Sequence, residues 1–223
     1  MSDPYNPLHK FNLGRSVAEA LLDSPTRPLS DTTDLIGAGV YAIYYVGGFL
    51  GYEPIAAANE AGKFSKPIYV GKAIPKGGRK GGVVTDAGKG RALRDRLNQH
   101  GASINEATNL DIQDFFYRSL VVDDIWIPLG ENMLIDLFKP IWNTLIDGFG
   151  NKTPGKGRKG QQRSSWDVLH PGRRFVDALG LGPGKVDEES ILYNANKFHQ
   201  GEIPATPLAE DDTADIDDDQ ADC

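Results

Sequence analysis

The chain has 223 residues, 39% hydrophobic and 25% charged, which provides for one substantial domain with a buried core and argues against a wholly disordered chain. It carries 24 Lys+Arg against 31 Asp+Glu, a formal net charge of −7, which taken whole argues against nucleic acid as a partner. No segment approaches the ~20 apolar residues of a membrane span and no apolar signal core opens the sequence, while the one cysteine, Cys223, excludes an intrachain disulfide and fits a reducing compartment.

Residues 1–37 are expected to be an N-terminal extension with one short helix near 13–22, broken by Pro25 and Pro28. Residues 39–46 are a β-branched and aromatic run bounded by glycines, hence a strand. A small-residue segment at 55–61 reads as helix, 67–71 as a second strand, and 72–90 as a basic, glycine-rich loop. Helical spacing over 91–100 stops at Gly101. Residues 115–122 make a third strand, and 128–138 a helix opened by Pro128 and ended before Pro140. After Gly148 the sequence predicts a second basic loop, a helix at 173–179, short polar pieces, and an acidic disordered tail over 200–223. The fold class expected is α/β (α+β): a small central sheet flanked by helices, with large basic loop insertions.

The net charge is unevenly placed. Residues 200–223 hold nine acids and no Lys or Arg, leaving 22 acids against 24 bases in residues 1–199. Ten bases fall in 63–100 and seven in 152–174, both stretches glycine-rich around their charges. Glycine-spaced Lys and Arg make cationic loops with exposed backbone N–H groups, suited to phosphate oxygens. Lys72, Lys76, Arg79, Lys80 and Lys89 in the first loop, and Lys156, Arg158, Lys159 and Arg163 in the second, are the candidate DNA-binding residues. Arginine fits the guanine edge, so Arg158, Arg163 and Arg173 are candidates for base readout.

Several nuclease chemistries are excluded. No Asp or Glu stands two positions before a Lys, so the acid-x-Lys metal motif is absent. His9, His100, His170 and His199 lie far apart, and there are no paired cysteines for zinc. The Gly155–Gly160 run follows no strand and lacks the Ser or Thr of a nucleotide phosphate loop.

What remains is an ordered set: Gly39-Val40-Tyr41, then Tyr69-Val70-Gly71, then Arg96 and His100 four apart on one helix face. Glu131, Leu134, Ile135, Phe138 and Asn143 follow, with Lys139-Pro140 before the asparagine. In this order the residues resemble the GIY-YIG nuclease superfamily over about residues 38–145. The 28-residue separation of Tyr41 and Tyr69, the 27-residue separation of Tyr69 and Arg96, and the presence of His100 are similar to its type II restriction endonucleases. Among these, the spacing resembles homodimeric members that cut CCGCGG. Valine in the middle of both triplets departs from the family pattern but keeps a β-branched strand residue.

The resemblance and the chemistry of the side chains assign the same roles. Arg96 would neutralise the phosphorane with its fixed guanidinium fork. Glu131 would supply the carboxylate for one hard divalent ion, Mg²⁺ or Mn²⁺. Tyr41 would be the general base toward the attacking water, with His100 accepting its proton. Tyr69 would orient water or phosphate, Lys72 would add positive charge there, and Asn143 would fix the geometry by hydrogen bonds. Tyr44 and Tyr45 compete with Tyr41 in composition, but the triplet register favours Tyr41.

Three divisions are expected: the extension at 1–37, a nuclease domain with DNA-binding insertions at 38–199, and the acidic tail at 200–223. The leading expectation is a Mg²⁺-dependent restriction enzyme cutting double-stranded DNA at a palindromic G·C-rich site, a homodimer in the bacterial cytoplasm. A repair or mobile-element nuclease of the same fold, cutting one strand or a distorted structure, is the enzyme alternative. A DNA-binding module without catalysis is the alternative from another class.

Overall fold

The computed structural model describes residues 6, 8–74, 88–151 and 161–202. Four strands form one antiparallel sheet in the order β1-β4-β2-β3: β1 (Arg27–Pro28), β2 (Gly39–Tyr45), β3 (Tyr69–Ala73) and β4 (Phe115–Val121). Around it lie α1 (Lys10–Asp23), α2 (Glu53–Asn59), α3 (Ala92–Glu106), α4 (Ile127–Phe138), α5 (Ile141–Thr144), α6 (Ser165–Leu169), α7 (Arg174–Ala178) and α8 (Glu188–His199). The architecture is α+β, a small antiparallel sheet flanked by helices.

All seven residues of β2 are buried, which explains why its sequence is apolar throughout instead of alternating. Its Tyr41, Ile43 and Tyr45 face one core, shared with Leu93, Leu97 and Ile104 of α3 and with Trp142 of α5. Val40, Ala42 and Tyr44 face a second core, shared with Ala18 and Leu21 of α1 and Ile127, Leu134 and Ile135 of α4. Helices therefore cover both faces, and the strand carries no solvated side. Helices α1 and α4 pack closely through reciprocal glycines. A Cβ on Gly14 would strike Met133, and one on Gly130 would lie 2.7 Å from Val17 Cγ1. The N-terminal residues thus add both a helix against α4 and the β1 edge, paired with Phe116 and Tyr117.

Three elements differ from the sequence expectation. Helix α3 does not stop at Gly101 but continues to Glu106. Its apolar face runs Leu93, Leu97, His100, Gly101 and Ile104, all buried, and that burial outweighs the roughly 1 kcal/mol a mid-helix glycine costs. Helix α4 starts at Ile127, one residue before the expected Pro128, so Glu131 lies beyond the first turn, where a start at Pro128 would have put it, and it is buried. The polar stretch after residue 180 contains the twelve-residue α8, whose N-cap Asp187 accepts from the Ser190 N–H at 2.8 Å. Ile191 and Ala195 anchor α8 in the α3-side core. No helix among the described residues is long and apolar enough to cross a membrane.

Candidate active site

The antiparallel register of β2 and β3 sets Tyr41 opposite Gly71, with Tyr69 opposite Ile43. Side chains on paired positions share a face, so both tyrosines project toward α3. Glycine is required at 71 because a Cβ there would strike the Tyr41 hydroxyl and lie 3.0 Å from Tyr69 Cε1. The Tyr41 and Tyr69 rings stand 6.3 Å apart.

Helix α3 presents Arg96 and His100 to this face, one turn apart. Tyr41 Oη and His100 Nε2 share a buried hydrogen bond of 2.7 Å. The imidazole lies 5.1 Å from the Tyr69 ring and stacks on Phe149, with centroids 4.6 Å apart and planes 17° from parallel. Arg96 Nη2 donates to the Gly150 carbonyl at 3.1 Å, and Nη1 to Gln99 Oε1 at 3.3 Å. Phe149 and Gly150, from the Gly148-Phe149-Gly150 turn, are site residues that the sequence reading did not single out. Their signal was a lone aromatic between two glycines, which looks like loop until its burial at 1% exposure is known.

Burial pushes the Tyr41 phenol well above its ordinary range. Tyr69 adds to the rise, Arg96 opposes it by charge and by a hydrogen bond, and the Glu131 carboxylate raises it further. Burial disfavours the Arg96 charge, but the Tyr41 and Tyr69 phenols more than offset this and hold the guanidinium protonated. At neutral pH Tyr41 is thus a neutral phenol and Arg96 a cation. A phenol so buried accepts a proton from water only if its own is passed on, and His100 Nε2 is placed at bonding distance to take it.

Lys72 and Glu131 lie across the ribbon. Lys72 pairs with Val40, so it points to the α4 side, where its ammonium meets Glu131 Oε2 at 2.8 Å. The carboxylate side chain is 4% exposed. Asn143 sits on the free edge of β3, where its side chain bonds both the N–H and the carbonyl of Val70. The structure therefore brings Tyr41, Tyr69, Arg96 and His100 into one cluster and pairs Lys72 with Glu131, whose carboxylate is near enough to act on the Tyr41 phenol. Asn143 is joined to the strand backbone between Tyr69 and Gly71.

Among the basic-loop residues, Lys76, Arg79, Lys80, Lys156, Arg158 and Lys159 lie outside the described residues. Lys89 is exposed. Arg163 is partly exposed and 3.4 Å from Asp177. Arg173, a candidate for base readout, is instead buried at 1% exposure and engaged by Asp167 and backbone carbonyls, so it presents nothing to a groove. Tyr44 faces the α4-side core and accepts from Arg118 Nη1 at 3.2 Å; Tyr45 bonds the Phe49 N–H at 2.9 Å. Neither enters the cluster.

A second tyrosine–histidine pair shows what a purely structural one looks like. Asn109 Nδ2 donates to the Leu169 carbonyl, leaving its Oδ1 to accept from His170 Nδ1–H at 3.0 Å. His170 Nε2 then accepts from the Tyr52 hydroxyl at 2.8 Å, and Tyr52 accepts from Trp142 Nε1–H at 2.8 Å. Every donor there has one assigned acceptor, and no arginine among the described residues bonds the phenol.

A family model described as the Eco29kI GIY-YIG domain matches residues 33–198. No curated protein matches the chain.

Proposed function

The chain belongs to the Eco29kI GIY-YIG domain family and is a nuclease of that fold; from this premise we propose that it is a type II restriction endonuclease that cuts both strands of DNA at a palindromic, G·C-rich site. The observation that carries the reading is the 2.7 Å bond between Tyr41 and His100 inside a cluster that also holds Arg96. This is a proton path beside a fixed cation, the two things phosphodiester hydrolysis asks of a protein.

In this mechanism a water attacks phosphorus while Tyr41 Oη takes its proton and passes its own to His100 Nε2. The P–O3′ bond breaks and O3′ takes a proton from a solvent water, leaving a 5′-phosphate and a 3′-hydroxyl. Arg96 faces the charge that builds on the phosphorane oxygens, its guanidinium pinned at Gly150 so that little reorganisation accompanies the reaction. Tyr69 orients the water or phosphate. Asn143 holds β3 in register so that Tyr69 and Gly71 stay aligned with Tyr41.

A divalent metal ion fits the donors present. No group of three or more His, Cys, Asp or Glu that could hold an ion occurs among the described residues, which does not suit a closed protein cage. One buried carboxylate, Glu131, suits Mg²⁺ or Mn²⁺, which keep waters and bind phosphate oxygens beside one or two carboxylates. Such an ion would supply charge at the leaving oxygen. Lys72 is the cation that meets Glu131 in the chain itself.

Cutting a palindrome in both strands calls for two sites related by a twofold axis, hence a homodimer on DNA. Digestion of phage DNA by the full chain in Mg²⁺ should give discrete bands. Glu131→Gln should bind the same duplex with unchanged affinity and leave it uncut. A smear would mark an unspecific nuclease and single-strand nicks a structure-selective one. Intact DNA would mark a binding module, and cleavage persisting in EDTA would remove the metal role of Glu131.

A further inference from the structure

The turn that carries Phe149 and Gly150 is held between two arginines. Of its four successive carbonyls, three point to Arg173: Gly148 at 2.9 Å from Nη2, Phe149 at 3.5 Å and Asn151 at 3.3 Å from Nη1. The remaining one, Gly150, points to Arg96 Nη2 at 3.1 Å. The Arg173 guanidinium is itself fixed on every side. Its Nε donates to Asp167 Oδ1 at 2.6 Å, and its Cζ lies 4.5 Å from the Trp166 ring centroid and 4.8 Å from that of Phe175.

Asp167 is anchored in turn. Its Oδ2 accepts from Ser164 Oγ at 2.7 Å, and Ser164 also caps α6 by accepting from the Asp167 N–H. Asp147 ties the start of the turn to α6, accepting from the Ser165 N–H at 2.8 Å and the Trp166 N–H at 2.9 Å. A charged side chain 1% exposed is costly unless paired and fully bonded. Here the counter-charge and the carbonyls meet that requirement, and the carbonyls they gather belong to the turn against the catalytic cluster.

We propose that Arg173 is a positioning residue of the nuclease site: by gathering the carbonyls of Gly148, Phe149 and Asn151, it turns the Gly150 carbonyl onto Arg96 and seats the Phe149 ring under His100. This rests on the nuclease reading above. Arg96 and His100 come from α3, whereas the clamp comes from the α6–α7 segment, so the site depends on a part of the chain remote from both tyrosine triplets. Lysine cannot replace the arginine here, because one ammonium can keep Asp167 but cannot reach a row of carbonyls with a planar fork.

Arg173→Lys in the full chain tests this with two readouts. On phage DNA in Mg²⁺ its kcat should fall about 10- to 100-fold while KM and duplex affinity stay within about 3-fold, since the clamp aligns reacting groups and touches no DNA. In a Phe149→Leu background, the added Arg173→Lys change should cost much less than it does alone. A role confined to stability would lower the urea midpoint but leave kcat per folded molecule at the wild-type value, and that result overturns the proposal, as do additive losses in the cycle. If Arg173→Lys fails to fold, Asp167→Asn keeps the shape and an acceptor for Nε; unchanged kcat in that variant overturns the proposal and reduced kcat supports it. Wild-type protein that leaves DNA uncut removes the nuclease reading itself, whereas an active wild type with an equally active Arg173→Lys removes only the clamp.

Discussion

Asn143 bonds the Val70 peptide twice, its Oδ1 accepting from the Val70 N–H at 2.8 Å and its Nδ2 donating to the Val70 carbonyl at 2.9 Å. Val70 lies on the outer strand of the sheet, so these two groups would otherwise be an open edge. The neighbouring Trp142 N–H extends the cover, donating to the Ile68 carbonyl at 3.1 Å. The start of α5 thus does the work of a fifth strand with one side chain and one peptide. The residue it holds is the centre of Tyr69-Val70-Gly71, which makes Asn143 a means of fixing Tyr69 without touching it.

Asn143→Ala should lower the unfolding free energy by about 1–3 kcal/mol, the cost of leaving part-buried backbone groups unbonded. Asn143→Asp should be at least as damaging at neutral pH, since a carboxylate can accept from the N–H but sets a second oxygen against the Val70 carbonyl. That variant, unlike Asn143→Ala, should regain part of its stability as the pH falls and the acid becomes a donor. Urea midpoints measured across pH separate the two.

Gly71→Ala should disable the site with little effect on DNA binding. The added methyl meets the Tyr41 hydroxyl and crowds Tyr69, so the phenol must swing from His100. A displacement of about 1 Å at a reacting group costs roughly 10²-fold in rate. Single-turnover cleavage beside a duplex-binding titration checks this, and full activity in the variant would deny Tyr41 its part in proton transfer.

How far the sequence discloses this site depends on how local each relation is. Arg96 and His100 could be put on one face from their spacing of four, and the structure keeps them there. Tyr41 and Tyr69 could be placed on strands from β-branched and glycine neighbours; β2 forms where expected, whereas β3 begins at Tyr69 and runs to Ala73, two residues later than the pattern predicts. The relation of Tyr41 to Gly71 needs the β2–β3 register, which no local pattern encodes. Arg173 illustrates the harder case. In a basic, glycine-rich stretch its charge reads as surface, yet its acceptors lie more than twenty residues earlier, at Gly148, Phe149 and Asn151. The expected end of α3 at Gly101 is missed for a related reason, because local propensity ends the helix there and a tertiary contact face prolongs it to Glu106.

Lys72→Met removes the cation bonded to Glu131 Oε2, a carboxylate only 4% exposed. The variant should unfold at lower urea, by about 1–3 kcal/mol, since a buried charge loses a partner. Added Mg²⁺ should restore more stability to Lys72→Met than it adds to the wild type, because an ion bound at Glu131 replaces the missing charge. Melting curves with and without Mg²⁺ test this, with Lys72→Met/Glu131→Gln as the control that should show no such gain.

His170 gives the fold an acid limit that is separate from catalysis. Burial, followed by the Arg173 charge, lowers its pKa from 6.5 to about 3. Its two nitrogens are committed, one donating to Asn109 and one accepting from Tyr52, so protonation would break the Tyr52 bond. As pH falls below 6.5 the unfolded chain takes up this proton and the folded chain does not, until the pH reaches about 3. The unfolded state then binds more protons, so stability is present above pH 6.5 and is lost on acidification through that window. The slope for one such group is about 1.4 kcal/mol per pH unit. His170→Gln, which can still accept from Tyr52 but cannot titrate, should be less stable at pH 7.5 and should lose less stability between pH 6 and 4. Taking the difference between the two proteins cancels the carboxylates, including Asp31 and Asp187, whose lowered pKa values also weaken the fold in acid. Parallel urea-unfolding curves for wild type and variant would deny His170 this role.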